Sequence, residues 1–444
     1  MRKLSYIELV EASAAILLIL YFYLLVSRFG TSWDNIVGHF NTLTMAGKSS
    51  YYEILREPLA QLILLPGVLL GLSLYQDILA AQAFLALFLL FCTKKLAKSL
   101  KIEGISAYLI SLSLVVVTFA FTLNITDILG MSTALLAFAY YFDKDYTKSS
   151  VVFGLSFLAK FTNLIFLPCM LFMFKGKWRV KSIAIALLVN LPWFIANYYL
   201  YNNPIYGFEL SNQVFAGQHI FAYSTIFSAL ESLGYVLETV IILAIIIVIL
   251  LRINKNKISS VISGITKVDM IVLGFALFEF IYVGSAQNYV PWLLYPLFIA
   301  LMIIALKVLS KISLTDTQKI AINGIFLLIF LSSLLLLIYH TGAAYNGVDW
   351  QLWFSKNPSY NESLNPGILY SCSSTYSNAW PYLMIYNLNV KRLYQINSSI
   401  TPGSCLIIFN PNNTGVPINL STLRYTVLEN SSNYSIIRYD GQAT

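Results

Sequence analysis

Charge is what this sequence has least of. Asp, Glu, Lys and Arg make up 11% of its 444 residues, where a soluble globular chain carries about 25%. So few charges could not cover the surface of a water-soluble fold this long. A soluble cytoplasmic enzyme, a disordered chain and a collagenous fibre are therefore excluded. Four cysteines are too few for a disulfide framework, and three histidines leave little room for a metal cluster. Hydrophobic types fill 58% of the chain instead. That composition predicts an all-α polytopic membrane protein, with the bilayer itself as its first partner.

Lys and Arg number 28 against 20 Asp and Glu, a formal +8. The basic residues sit mostly in short loops between apolar runs, where they read as topology signals and not as a nucleic-acid surface. Residues 7–27 are nearly all apolar, follow Arg2 and Lys3, and lack a small-residue cleavage site. They predict a retained first helix with a cytoplasmic N-terminus. Later runs fall at 58–93, 104–122, 127–142, 149–160, 163–174, 181–199, 233–251, 267–286, 290–308 and 319–340.

The clusters Lys94-Lys95 with Lys98 and Lys101, Lys144 with Lys148, Lys175 to Lys181, and Arg252 with Lys255 and Lys257 are all assigned to the cytoplasm. That requires one net crossing in 58–93 and a hairpin in 149–174. Residues 58–93 read either as two short helices around Tyr75-Gln76-Asp77 or as a re-entrant piece leading into one span. The sum is about eleven crossings. Residues 1–340 form the membrane domain, with the loop 28–57 outside. Residues 341–444 form an external C-terminal domain in a multi-pass plasma-membrane protein.

That tail is rich in Asn, Ser, Tyr and Pro, with alternating runs such as Ser404-Cys405-Leu406-Ile407-Ile408-Phe409. It predicts a small α+β or β-rich domain. Asn-x-Ser/Thr triplets begin at Asn361, Asn397, Asn412, Asn419, Asn430 and Asn433, and are N-glycosylation acceptors if exposed in a glycosylating compartment. A Cys372–Cys405 disulfide suits the outside of a cell, the alternative being two free thiols. The Ile, Tyr and Asn bias with these triplets points to an archaeal surface.

Chemistry concentrates in the first external loop, Trp33-Asp34-Asn35-Ile36-Val37-Gly38-His39-Phe40, then Met45-Ala46-Gly47-Lys48 and Arg56-Glu57-Pro58-Leu59. Residues 35–47 are expected as a short interfacial helix with Ile36, Phe40 and Leu43 on one face and His39 off it. Asp34 reads either as its cap, with Trp33 a membrane anchor, or as a functional acid. Asp127 opens the 127–142 run on the same side and has the same two readings. One such acid can serve as a general base while the other orients the acceptor or holds a basic partner. Lys48 and Arg56 are cations of the kind that hold phosphate. Together these suit a substrate with a lipid tail, a phosphate and a polar head.

At these residues the sequence resembles the GT-C class of integral-membrane glycosyltransferases, whose donors are lipid-phosphate sugars. The nearest branches are the protein O-mannosyltransferases and the lipid A aminoarabinose transferases. The first loop carries the resemblance, together with Gly154-Leu155-Ser156-Phe157-Leu158-Ala159-Lys160, Pro192-Trp193 to Asn197-Tyr198, Asn203-Pro204, and Tyr289-Val290-Pro291-Trp292-Leu293-Leu294-Tyr295-Pro296. It covers roughly residues 5–310 and leaves the tail unmatched. It implies Asp34 as general base, Asp127 as the second external acid, and phosphate or sugar contacts at Lys48 or Arg56 and at Gln287, Asn288 and Tyr289. Asn35 stands where the mannosyltransferases often have a second acid, and the late segment has no Arg.

The implied reaction moves a sugar from a polyprenyl or dolichyl phosphate to a protein, lipid or glycan acceptor, with inversion. Lys160 reads equally as a phosphate contact or as a snorkelling side chain. Some members of the class use a divalent metal. The first loop has no Asp-x-Asp, and His39 with Asp34 is the candidate pair, against His39 as an interfacial residue. No cofactor is assigned. A transporter or flippase for lipid-linked saccharides is the alternative, disfavoured by the scarcity of charge within the spans. The transferase reading expects Asp34, Asp127, Arg56 and Gln287 to converge in one cavity open to the bilayer.

Overall fold

The computed structural model describes residues 5–29, 31, 33–49, 57–116, 124–207, 209, 244–250, 252, 265–284, 295–344, 371–377, 391–392, 400–409, 423–430 and 434–442. They form two compact units, one of residues 1–24 and 38–339 and the other of residues 25–37 and 340–444.

The helices are α1 (Tyr6–Phe29), α2 (Trp33–Met45), α3 (Pro58–Leu69), α4 (Leu74–Ser99), α5 (Ala107–Val116), α6 (Ile125–Phe142), α7 (Tyr146–Ala159), a 3-10 turn η1 (Phe161–Ile165), α8 (Phe166–Met173), α9 (Trp178–Tyr201), α10 (Lys267–Gly284), α11 (Tyr295–Leu309) and α12 (Asp316–Ala344). Among the described residues, five helices are long and apolar enough to cross a bilayer: Tyr6–Leu24, α4, α6, α9 and Asp316–Leu335. Their outward apolar side chains, such as Leu20, Phe84, Leu188 and Leu328, are what hydrocarbon surroundings allow. The chain is a mostly helical, multi-pass membrane protein with a small C-terminal sheet.

The apolar run 58–93 resolves into unequal helices. At 12 residues, α3 falls short of the roughly 20 needed to span, whereas α4 has 26 residues. Pro58 sits in the first turn of α3, where its missing N–H costs nothing. A capping box of Ser73 and Gln76 starts α4. The turn between them lets α3 fold back on α4. Residues 146–173 form the matching break, with α7 and α8 joined through η1.

At the packing centre lies α6, buried at every position from Ile125 to Ala139. It packs between α4 and α7, and α7 packs in turn on α9. Its run of Gly130, Ser132, Thr133, Ala134, Ala137 and Ala139 lets neighbouring backbones approach. At its far end Asp143 bonds Lys95, and Asp145 caps α7 by accepting from the Lys148 N–H at 3.2 Å. The Asp145 carboxyl is held below its ordinary range, chiefly by the Lys148 hydrogen bonds.

In the second unit the strands β1 (Thr375–Ser377), β2 (Lys391–Arg392), β3 (Cys405–Phe409), β4 (Leu423–Asn430) and β5 (Tyr434–Gln442) form one sheet in the order β2-β1-β3-β5-β4. The first three strands run parallel, and β5 is antiparallel to β3 and β4. The alternating residues Leu406 and Ile408 pack with Ile437, Tyr439 and Ile400. Cys372 and Cys405 are disulfide-bonded, with Cα atoms 5.6 Å apart. Asn430 ends β4, while Asn361, Asn397, Asn412, Asn419 and Asn433 lie outside the described residues.

Candidate functional site

Three helix junctions of the first unit meet at one lysine. Lys160 follows the last residue of α7 with an extended backbone, φ −157° and ψ 122°. This kink sends its side chain sideways from the helix. Asn163 braces the turn by donating to Gly130 O at 3.0 Å and Ser156 O at 3.1 Å. The Lys160 Nζ lies 2.8 Å from Asp127 Oδ1, 3.7 Å from Glu57 Oε1 and 3.3 Å from Thr126 Oγ1. All three charged groups are buried.

Local sequence explains each position. Asn124 occupies the N-cap of α6, so Asp127 is a first-turn residue and not the cap, and its carboxylate turns to Lys160. Glu57 precedes Pro58, which favours extended backbone, and its ψ is 127°. Opposite them the fully buried Tyr295, first residue of α11, accepts a hydrogen bond from Thr162 Oγ1 at 3.1 Å.

Gly130 makes the cluster sterically possible. A Cβ there would stand 2.6 Å from Lys160 Cβ and 3.0 Å from the Tyr295 hydroxyl. Gly130→Ala is expected to destabilise the protein by about 1–3 kcal/mol and to displace Lys160, measured as a lower thermal midpoint in detergent.

A second buried pair lies at the opposite end of α3. His39 Nδ1 is 2.7 Å from Asp77 Oδ2, with both side chains buried. His39 was expected off the packed face of its helix, and here the structure corrects the sequence. Gly38, His39, Asn41 and Thr42 are buried in a polar face of α2. Thr42 donates to Gly38 O at 2.7 Å and to Gln61 O at 3.3 Å. Polar spacing outweighed the apolar stripe because α3 and α4 offer acceptors on that side. A Cβ on Gly67 would collide with the Asp77 carboxylate. Gly67→Ala should therefore break the His39–Asp77 bond and cost about 1–3 kcal/mol, read as a thermal-midpoint drop that Gly274→Ala, a helical position with open space around it, does not share.

Of the other sequence-derived candidates, Asp34 lies half-buried in the first turn of α2 and falls in the second compact unit. Lys48 Nζ donates to Val68 O at 2.7 Å, beside the C-terminus of α3, where the helix dipole favours a cation. Arg56, Gln287, Asn288 and Tyr289 lie outside the described residues. Among the described residues no three His, Cys, Asp or Glu side chains converge as a metal site, and the His39 Nδ1 is engaged by Asp77. Sequence reasoning assigned no role to Glu57, Tyr295, Asp77 or Glu279. Glu57-Pro58 and the acid in the middle of the apolar run 267–286 were the available signals.

No protein-family model and no curated protein matches the sequence. Two solved structures do match in fold, both of ArnT from Cupriavidus metallidurans. The one bound to undecaprenyl phosphate superposes with a TM-score of 0.58 at 12% identity, covering 97% of each chain. The apo structure gives 0.56 at the same identity and coverage. The chain therefore shares the fold of these ArnT structures.

Proposed function

We propose that this protein is a membrane glycosyltransferase that moves a sugar from a polyprenyl-phosphate donor to a hydroxyl or amine of a protein, lipid or glycan acceptor at the outer membrane face. The observation that carries the reading is the ArnT-like fold along 97% of both chains, one of those structures holding undecaprenyl phosphate. A lysine buried between two acids in the same unit supports it. In this reading the N-terminus is cytoplasmic, residues 341–444 are extracellular, and an archaeal dolichyl phosphate is one candidate donor.

In the proposed step an Asp34 carboxylate oxygen takes the acceptor's proton. The acceptor atom forms its bond to the anomeric carbon as the carbon–oxygen bond to phosphate breaks. The electron pair leaves with polyprenyl phosphate, and in-line displacement inverts the centre. Phosphate leaves readily as an anion, so the enzyme's task is to hold it. Asp127, Glu57 and Lys160 together carry a formal −1 when all are ionised. Lys160 thus serves the phosphate only with a second cation, and Arg56, adjacent to Glu57 in sequence, supplies it in this proposal. Asp127 holds the Lys160 ammonium in place at 2.8 Å, and Lys48 closes the loop on α3.

The transporter alternative draws on the acids buried within the bundle, Glu11, Asp269 and Glu279. Proteoliposomes loaded with radiolabelled undecaprenyl-phosphate sugars separate the two. Transfer predicts label leaving the lipid for an acceptor. Label that changes leaflet while staying on its lipid would replace the transferase with a flippase.

A further inference from the structure

Six acidic side chains are buried among the described residues of the first unit: Glu11, Glu57, Asp77, Asp127, Asp269 and Glu279. Five have a basic partner. Glu11 has Lys94 at 3.0 Å, Asp77 has His39 at 2.7 Å, and Asp269 has Lys307 at 2.5 Å. Glu57 and Asp127 share Lys160. Glu279 has no hydrogen bond or ion pair to any described residue, and its Oε2 is fully buried. A buried carboxyl with no partner among the described residues is costly, and such a group marks a candidate functional position.

Its position says what it faces. Val272, Ala276 and Glu279 are the buried stripe of α10, at helical spacing. Phe275 on that side packs against Phe172 of α8, with ring centroids 6.1 Å apart. The same face of α10 packs on η1, α8 and α11. Ten residues from Asp269, or about 15 Å along the axis, Glu279 thus reaches the region of Tyr295. Thr162 belongs to η1 and Tyr295 opens α11, two of the elements on which α10 packs.

We infer that Glu279 is a sugar-binding residue: its carboxyl accepts hydrogen bonds from the hydroxyl groups of a polyprenyl-phosphate-linked sugar, beside the Tyr295–Thr162 hydroxyl pair. The inference rests on the transferase reading and deepens it. The chemistry selects the sugar over the other parts of such a donor. A carboxyl with no cation beside it among the described residues repels a phosphate, which goes to Lys160 instead, and a hydrocarbon tail offers it no donor. A hydroxylated ring offers several donors, and Tyr295 and Thr162 add neutral polar partners on the same wall.

The test uses the full chain in nanodiscs. Its probes are undecaprenyl phosphate and undecaprenyl phosphate carrying mannose, glucose or 4-aminoarabinose. Glu279→Gln should weaken binding of the preferred sugar-bearing lipid by about tenfold or more, since a hydrogen bond to a charged group contributes at least ~1.4 kcal/mol. Binding of bare undecaprenyl phosphate should be unchanged. Glu279→Leu should raise the thermal midpoint of the ligand-free protein, because it removes an uncompensated buried carboxyl. Equal loss for both lipids, loss for neither, or a lower midpoint in Glu279→Leu overturns the inference while leaving the transferase standing. Failure of the wild type to bind any of these lipids overturns the transferase reading, and this inference with it.

Discussion

Asp34→Asn is expected to reduce sugar transfer by about 10²–10⁴-fold, the range a positioned general base contributes, while the protein stays folded. The substitution keeps the shape of the side chain and removes its ability to accept a proton. Asp34 is half-buried in the first turn of α2, where a carboxylate gains about 0.3–1 kcal/mol from the helix dipole, and the thermal midpoint reads what the substitution costs. Donor binding should persist, because the phosphate is held by cations and not by this acid. The measurement is transfer from radiolabelled undecaprenyl-phosphate sugar in proteoliposomes, alongside donor affinity and thermal midpoint. Undiminished transfer would remove Asp34 as the base. Loss of donor affinity in step with transfer would reassign it to binding.

The parts of this protein that could be read from sequence are those coded locally. The bilayer as solvent follows from 11% charge. A break in 58–93 is legible too, but it was expected around Tyr75-Gln76-Asp77, and the Ser73–Gln76 capping box makes those residues the first turn of α4. The alternation in 404–409 announces β3. The site is legible only in pieces. Asp127 and Lys160 each stand out as charges in apolar surroundings, but nothing local says that they meet, because α6 and α7 bring them together through packing. The same holds for His39 and Asp77, 38 residues apart. His39 was misplaced because α2 buries His39, Asn41 and Thr42 along with Ile36 and Val37, and a rule that places only apolar residues inside misses the polar ones. Glu279 shows the reverse case. An acid in the middle of an apolar run is visible at once, yet that it has no partner among the described residues emerges only when the five compensated acids are set beside it.

Lys160→Met should produce the largest loss of stability and abolish measurable transfer. The substitution leaves Asp127 and Glu57, both buried, without their shared cation. Breaking a buried pair from one side costs about 3–5 kcal/mol, because an uncompensated charge stays behind. Asp127→Asn alone frees Lys160 from its 2.8 Å partner but leaves Glu57 at 3.7 Å, so its cost should be smaller. The informative variant is the double mutant Lys160→Met with Asp127→Asn. It removes both members of the closer pair and should recover much of the stability lost in Lys160→Met, giving a coupling of at least ~1 kcal/mol in a double-mutant cycle. Transfer should not recover with it, because the phosphate still lacks Lys160. That split between restored folding and lost activity separates a lysine that acts on substrate from one that only neutralises two acids. If the double mutant regains transfer together with stability, Lys160 is a structural counter-ion and the phosphate must be held without it.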